Sequence, residues 1–131
     1  MKKIILDTNA YSRYLKGDQD VLNVLGIADI VYMSIFVLGE LFTGFKGGEK
    51  EKENIQNLNL FLTKPAVNIL NGTRETSEIF GLIKHNLKLK GVPLPVNDIW
   101  IAAHTVESGS ILVAYDEHFK NIENIRIWDN I

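Results

Sequence analysis

Four acidic residues stand at places in the sequence where carboxylates are uncommon. Asp7 follows the short apolar run Lys3 to Leu6, and Asp116 follows the run "SILVA". Glu40 lies among apolar residues of helical period, and Asp98 stands at the start of another such pattern. Like charges within a few ångströms of one another repel unless they are protonated or bind cations. If these four carboxylates meet in the fold, they suggest a site for a divalent cation.

The residue types in the chain narrow this chemistry further. The chain has no cysteine, which excludes thiolate catalysis, disulfide bonds and cysteine-ligated zinc. Carboxylate oxygens without sulfur ligands favour hard divalent cations such as Mg²⁺ or Mn²⁺. One or two such ions can generate a hydroxide nucleophile and stabilise charge on a phosphoryl group during its transfer. The chemistry that the four carboxylates suggest is therefore phosphodiester hydrolysis.

Each of the four carboxylates also has a plainer interpretation. A carboxylate in the first turn of a helix is stabilised by the helix dipole, which accounts for Asp98 without any ligand. Asp116, in "YDEHF", is equally suited to capping a short turn. Glu40 and Asp7 are harder to explain, because Glu40 lies within a broad apolar stripe and aspartate is depleted in strands. These two residues carry most of the argument for a site.

Five short apolar segments rich in β-branched residues are predicted to be strands. Their apolar runs are continuous rather than alternating, which is typical of strands buried on both faces. Longer segments of helical period separate them, so we predict an α/β fold, a three-layer α/β/α sandwich around a parallel sheet of roughly five strands. We expect a single domain spanning residues 1–131. The predicted strands are Lys3 to Leu6, Ile30 to Met33, Ala66 to Ile69, Ser110 to Ala114 and Ile125 to Ile127.

Four helices are predicted between these strands from their start and stop signals. Serine, threonine and asparagine are favoured at the residue that caps a helix, and glycine or proline commonly follows the last turn. The predicted helices run from the cap Ser34 to about Phe45, from about Glu53 to Leu62 before Pro65, from about Thr73 to Lys90, and from the cap Asn97 to Gly109.

Composition sets the broad class of the protein. Hydrophobic residues make up 46% of the chain and charged residues 23%, which is ordinary for a folded globular protein. No apolar stretch approaches the length that spans a bilayer, so we expect a cytoplasmic protein with no membrane association. The net charge of −2 gives no whole-molecule field that would attract nucleic acid, although cations bound to the carboxylates would supply positive charge locally.

Four blocks of sequence resemble a known family. The blocks are "ILDTNAY", "SIFVLGELFTG", "VNDIWIAAH" and "ILVAYDEHF". Together they resemble the PIN-domain nucleases, particularly the VapC-type toxins of bacterial and archaeal toxin–antitoxin systems. The resemblance covers essentially the whole chain, with all four blocks in the order and at the spacing of the family. No single block is specific, and the combination carries the resemblance.

The resemblance implies a metal-dependent endoribonuclease that uses Mg²⁺ or Mn²⁺. Its acidic site would map onto the four carboxylates, with Asp7 and Asp98 as the main metal ligands. Glu40 would bind directly or through water, and Asp116 would assist a second ion or the attacking water. Thr8 and Asn9, which follow the first aspartate, would orient carboxylates through their hydroxyl and amide groups, and capping a helix is a compatible alternative for both.

The same resemblance implies partners for the protein. These are an RNA substrate, a cognate antitoxin that holds the nuclease inactive, and a second copy of the chain in a homodimer formed through helices. One alternative is a PIN nuclease of RNA processing without an antitoxin, and another is a catalytically inactive PIN binding module. The inactive module is disfavoured because all four carboxylates are present. Neither a GxGxxG motif nor a P-loop is present, so nucleotide-cofactor chemistry has no support.

Several remaining residues are expected to be structural. Many PIN relatives have a threonine before the last acidic residue, where this chain has Ala114 and Tyr115, so the geometry around Asp116 is expected to differ. We expect His118 to be an exposed turn residue in preference to a phosphate contact. We expect His85 and His104 to be surface or packed residues, and Trp100 and Ile101 to pack in preference to stacking on bases. A solvated helix start is expected for Lys46, Lys50 and Lys52.

Overall fold

The computed structural model describes residues 1–128, and its centre is a five-stranded sheet. The strands lie in the order β3-β2-β1-β4-β5, and every neighbouring pair is parallel. The predicted parallel α/β fold is confirmed, and the predicted strand bounds differ from the observed ones by one residue at several ends. The strands are β1 Lys3–Leu6, β2 Ile30–Ser34, β3 Val67–Leu70, β4 Ile111–Val113 and β5 Arg126–Ile127.

The central strands are buried on both faces, as their continuous apolar runs predict. Ile4, Ile5 and Leu6 of β1 are fully buried, and so is Leu112 of β4. Alternate side chains of a strand point to opposite faces of the sheet, so complete burial of three consecutive residues requires cover on each side. The register pairs Ile5 with Leu112. The two strands that precede Asp7 and Asp116 are therefore immediate neighbours.

Six helices flank the sheet within residues 1–128. Two of them, α1 and α2, are not predicted by the sequence pattern, and both are capped by aspartates. Asp7 accepts a hydrogen bond from the backbone N–H of Ala10, and Asp18 accepts from Asp20 and Val21. The helices are α1 Thr8–Leu15, α2 Gln19–Ile27, α3 Ile35–Phe45, α4 Glu51–Leu62, α5 Arg74–Lys90 and α6 Val96–Ser108, and a 3₁₀ turn spans Glu117–Asn121.

One of the two predicted caps is confirmed and the other is wrong. The Ser34 hydroxyl accepts the N–H of Phe36 at 3.1 Å, and Thr73 caps α5 as part of a capping box. The predicted cap Asn97 instead lies inside the first turn of α6, whose cap is Pro95. The carbonyl of Pro95 accepts the first helical hydrogen bonds, and proline suits the start of a helix because its φ is already fixed near the helical value.

One start position also differs from the prediction. Helix α4 begins at Glu51, inside the charged segment that the sequence pattern treats as a lead-in to the helix. Acidic residues are favoured in the first turn of a helix, where they face the positive end of its dipole.

Among the helices of the described chain, none is both long enough and apolar enough to cross a membrane.

Candidate active site

The carboxyl ends of the strands bring the four carboxylates to one edge of the sheet. Asp7 follows β1, and Asp116 follows β4 after a two-residue gap. Glu40 lies on α3, which begins directly after β2, and Asp98 lies in the first turn of α6. The charges of Asp98, Glu40 and Asp116 all act on Asp7 and raise its pKa. Ligand sites of open parallel sheets lie at this edge.

Asp7 is a buried carboxylate with two roles. Its side chain is only 5% exposed, and its Oδ1 accepts the N–H of Ala10 at 2.7 Å. Burial raises the pKa of Asp7 to about 6, the Ala10 hydrogen bond opposes that rise, and the neighbouring carboxylates add to it. The capping bond explains how a charge is tolerated here. The raised pKa indicates that the surroundings of Asp7 favour a bound proton, or a cation next to the carboxylate, over the isolated negative charge.

Glu40 points a carboxylate oxygen into the protein without a partner. Its Oε1 is buried and has no hydrogen bond within residues 1–128. Burial raises the pKa of Glu40, and the nearby Thr8 hydroxyl opposes the rise. The Thr8 Oγ1 atom is itself buried without a hydrogen bond of good geometry in the same part of the chain, so the two groups are neighbours rather than a formed pair. Asn9 is exposed on the first turn of α1.

Asp98 and Asp116 are bridged by a histidine, which contradicts one expectation. His118 is half-buried, with Nε2 at 2.7 Å from Oδ2 of Asp98 and Nδ1 at 2.9 Å from Oδ1 of Asp116. The Nε2 contact is close but lies outside hydrogen-bond geometry. The backbone N–H of His118 also donates to Oδ1 of Asp116 at 3.1 Å. The prediction of an exposed turn residue is therefore wrong for His118.

The 3₁₀ turn explains this placement of His118. Asp116 caps the turn, as its plainer interpretation predicts, and the side chain two residues later is carried back over the cap toward α6. Burial raises the pKa of Asp98, while the ring of His118 lowers it. The spacing Asp-x-His in "YDEHF" was the only local signal for this contact, because the position of α6 follows from the tertiary fold.

A family model described as the PIN domain matches residues 4–125. The chain belongs to the PIN domain family. The match includes all four carboxylates and reaches from β1 through β4, and it ends one residue before β5. It agrees with the resemblance of the four sequence blocks, whose acidic residues are those that the fold brings to one edge.

Named relatives of this PIN domain are VapC ribonucleases. Ribonuclease VapC2 of Rickettsia felis is 27% identical over 132 residues, covering 95% of this chain and 97% of the relative. Ribonuclease VapC2 of Haemophilus influenzae is 32% identical over 118 residues, covering 87% and 86% of the two chains. A solved structure of VapBC2 from Rickettsia felis, bound to a DNA fragment from its promoter, superposes with a TM-score of 0.87 at 26% identity over 97% of this chain and 99% of that one.

The donor set of this PIN domain suits a hard divalent cation in its chemistry. All four carboxylates offer oxygen, and the unpartnered Oε1 of Glu40 is an oxygen that a cation would satisfy. Within residues 1–128, however, no three acidic or histidine side chains are assembled closely enough to hold an ion as they stand. The Asp98 and Asp116 oxygens instead face His118. A cation that binds Oδ2 of Asp98 or Oδ1 of Asp116 would compete with His118 for that oxygen.

Residues behind the site connect the two helices that carry Glu40 and Asp98. His104 of α6 is buried, and its Nδ1 lies 2.9 Å from the Ser34 hydroxyl that caps α3. Burial lowers the pKa of His104, which favours a neutral ring. The sequence predicts the Ser34 cap and leaves His104 either on the surface or packed, and it does not predict that the two residues are in contact. The contact fixes the start of α3 against α6.

The other residues that the sequence singles out are structural. Trp100 stacks between Phe36 and Phe80, at ring-centroid distances of 5.0 and 3.9 Å, and Ile101 is buried. Both predictions of packing are confirmed. Exposure to solvent is found for His85, Lys46, Lys50 and Lys52, as predicted.

Proposed function

We propose that this PIN domain is a metal-dependent endoribonuclease and the toxin of a toxin–antitoxin module. The observation that carries the proposal is Asp7, a buried carboxylate whose pKa is raised by burial and by three other carboxylates at the same edge of the sheet. Buried like charges lower the stability of the folded protein, so we expect such a cluster where the charges serve a function. The similarity to VapC ribonucleases over nearly the whole chain supports the same activity.

The four carboxylates are the proposed metal ligands. Asp7 and Asp98 would hold Mg²⁺ or Mn²⁺ most directly, with Glu40 and Asp116 completing the set. A bound ion would activate a water molecule and stabilise the negative charge on the phosphodiester during its hydrolysis. Thr8 and Asn9 are proposed to orient the carboxylates from the first turn of α1.

The protein's own groups prepare this site in three ways. The N–H of Ala10 holds Oδ1 of Asp7 in place, which leaves Oδ2 for a ligand. Burial strengthens the interaction of the Asp7 and Glu40 carboxylates with any cation, because less water screens them. His118 holds Asp98 and Asp116 near each other, and we propose that it limits their repulsion until the cation takes its place.

The proposed partners follow from the similarity to toxin–antitoxin proteins. The VapBC2 complex from Rickettsia felis contains a relative of this chain together with its antitoxin, and we propose a cognate antitoxin here. RNA is the proposed substrate, and the cytoplasm is the proposed location. We further propose one domain over residues 1–131 and a homodimer formed through α3 and α4, where Phe42 and Leu60 are exposed apolar side chains.

Two alternatives remain distinct from this proposal. A PIN nuclease of RNA processing would cut RNA with the same carboxylates but would have no antitoxin, and a gene for a small DNA-binding protein directly upstream would argue against it. A catalytically inactive PIN module would bind without cutting. The retention of all four carboxylates at one edge argues against the inactive module, since its acids would be free to change.

The test is cleavage of a total RNA pool by the purified protein. We expect cutting in Mg²⁺ or Mn²⁺, none with a chelator, and none by Asp7→Asn. The matched control is Asp29→Asn, because Asp29 precedes β2 at the opposite edge of the sheet and is exposed. This control should cut as the wild type does. Equal cutting by wild type and Asp7→Asn, or cutting that persists in the chelator, would contradict the proposal.

A further inference from the structure

A cavity of about 430 Å³ lies directly beside the acidic site, on the side of the sheet edge formed by β4 and β5. It shares one residue with the site, since Asp116 both contacts His118 and lines the cavity. The walls combine two aromatic rings, aliphatic side chains, one lysine and the carboxylates of Asp116 and Glu117. The main lining residues are Tyr115, Asp116, Lys120, Ile125, Ile127 and Trp128.

Both aromatic walls are backed by a cation. The guanidinium of Arg13 lies 3.7 Å from the centroid of the Tyr115 ring, and Nζ of Lys2 lies 5.2 Å from that of Trp128. Neither Arg13 nor Lys2 lines the cavity. Each cation therefore covers a part of the aromatic ring that is turned away from the cavity. These contacts hold the two rings in place.

The Tyr115 ring is positioned by stacking and not by its hydroxyl. Its OH is buried without a hydrogen bond within the described residues, whereas Arg13 stacks on the ring and is itself tethered to Asp18 at 3.3 Å. Tyr115 is also, with Ala114, one of the two residues at which this chain departs from the family pattern before Asp116. The departure therefore places an anchored aromatic ring beside the acidic site.

We propose that this cavity binds the base of the nucleotide next to the phosphodiester that the acidic site cuts. The inference rests on the proposed ribonuclease function and adds a subsite to it. Proteins recognise single-stranded RNA chiefly by stacking its bases on aromatic side chains and by cations that contact its phosphates. Tyr115 and Trp128 supply the first chemistry. Lys120 supplies the second, because its contact with Glu117 joins two exposed side chains and is easily exchanged for a phosphate.

The protein carries its own reporter for this test. It has two tryptophans, and Trp100→Phe would leave Trp128 as the only one while keeping an aromatic ring between Phe36 and Phe80. The Asp7→Asn/Trp100→Phe protein, designed to bind RNA without cutting it, is titrated with unstructured hexaribonucleotides and the fluorescence of Trp128 is followed. Circular dichroism checks that this protein is folded.

Intact hexaribonucleotides should quench Trp128. A hexaribonucleotide with one abasic position, moved along the strand, should bind at least about fivefold more weakly when that position falls in the cavity, and quenching should be lost there. Tyr115→Ala should weaken binding by a similar factor, and Tyr115→Phe should not, because the hydroxyl has no partner within residues 1–128.

Three results would overturn the subsite. They are binding of intact RNA with unchanged Trp128 emission, equal affinity for intact RNA and for every abasic position, and quenching by nucleoside monophosphates but not by hexaribonucleotides. The abasic series keeps Tyr115 intact, so it decides the question even if Tyr115→Ala fails to fold. Cleavage of total RNA by the wild type is measured in parallel. Cleavage without these fluorescence changes removes the subsite and leaves the nuclease, whereas absence of cleavage counts against the nuclease itself.

Discussion

Replacing Asp7 by asparagine should stabilise this protein while abolishing its proposed activity. The buried Asp7 carboxylate is disfavoured in its ionised form by burial and by the charges of Glu40, Asp98 and Asp116. Asparagine is nearly the same size and is equally good as a helix cap, so its Oδ1 can still accept the N–H of Ala10. The substitution thus removes an unfavourable charge and keeps the favourable hydrogen bond.

The magnitude and the pH dependence both follow from the pKa of Asp7. A pKa raised from 3.8 to about 6 corresponds to roughly 3 kcal/mol of lost stability once Asp7 is ionised in both states, at about 1.4 kcal/mol per pH unit. The new amide nitrogen must find a partner, which offsets part of the gain. We therefore expect Asp7→Asn to raise the free energy of unfolding by about 1–3 kcal/mol at pH 8.

The sign of the pH effect gives a second check. Below pH 3.8 Asp7 is protonated in the folded and the unfolded chain, so the wild type carries no penalty there. Between that pH and about 6 the folded chain binds more protons than the unfolded chain, and the stability of the wild type falls as the pH rises. The advantage of Asp7→Asn should therefore grow across this window and stay constant above it.

The assay is urea unfolding of both proteins from pH 4 to 8 in a chelating buffer, because a bound cation would stabilise the wild type selectively. The control Asp29→Asn should change the free energy of unfolding by less than about 1 kcal/mol at every pH, because Asp29 is exposed and the amide oxygen of asparagine can still accept the N–H of Lys2. An Asp7→Asn protein that is less stable than the wild type at pH 8 would refute the reasoning. So would a difference that does not vary with pH.

Three further predictions concern the neighbours of Asp7. His118→Ala should tighten Mn²⁺ binding by up to about tenfold in calorimetry, since the ring no longer competes for Asp98; weaker binding would mean that the ring orients the carboxylates for the ion. Glu40→Gln should reduce RNA cleavage by at least about tenfold without lowering the melting temperature, since burial and Asp98 disfavour the Glu40 charge, and full activity would exclude Glu40 from the site. Ser34→Ala should cost about 1–2 kcal/mol in urea unfolding because α3 loses its cap, and an unchanged stability would contradict that role.

The sequence predicts the sheet well because its signals are local. Burial on both faces demands continuous apolar runs, and those runs identify β1 and β4 directly. The same logic marks Asp7 and Glu40, which are conspicuous because their neighbours in the chain are apolar. The helices α1 and α2 are missed because each is short, at eight and nine residues, and because their caps are aspartates that also suit other roles.

What the sequence could not predict depends on contacts between distant elements. The residues next to His118 in the sequence predict only a turn. The placement of α6 beside the 3₁₀ turn brings Oδ2 of Asp98 to 2.7 Å from Nε2 of His118. The same holds for the contact between His104 and Ser34, which lie 70 residues apart. Such contacts follow from how helices pack across a sheet, and no local pattern of residues encodes that packing.

The strand order affects when the sheet can form while the chain is being synthesised. β1 is made first, but one of its two neighbours is β4, whose Ile111 pairs with Ile4, and even the N–H of Asp7 donates to Val113. Until those late residues emerge, one edge of β1 has no strand to pair with, and contacts this distant in sequence form slowly. The acidic site would therefore be assembled only after β4 and Asp116 have left the ribosome. A ribosome that carries a partial chain holds no working copy of the site, which gives the cell an interval between starting to make this protein and having to restrain it.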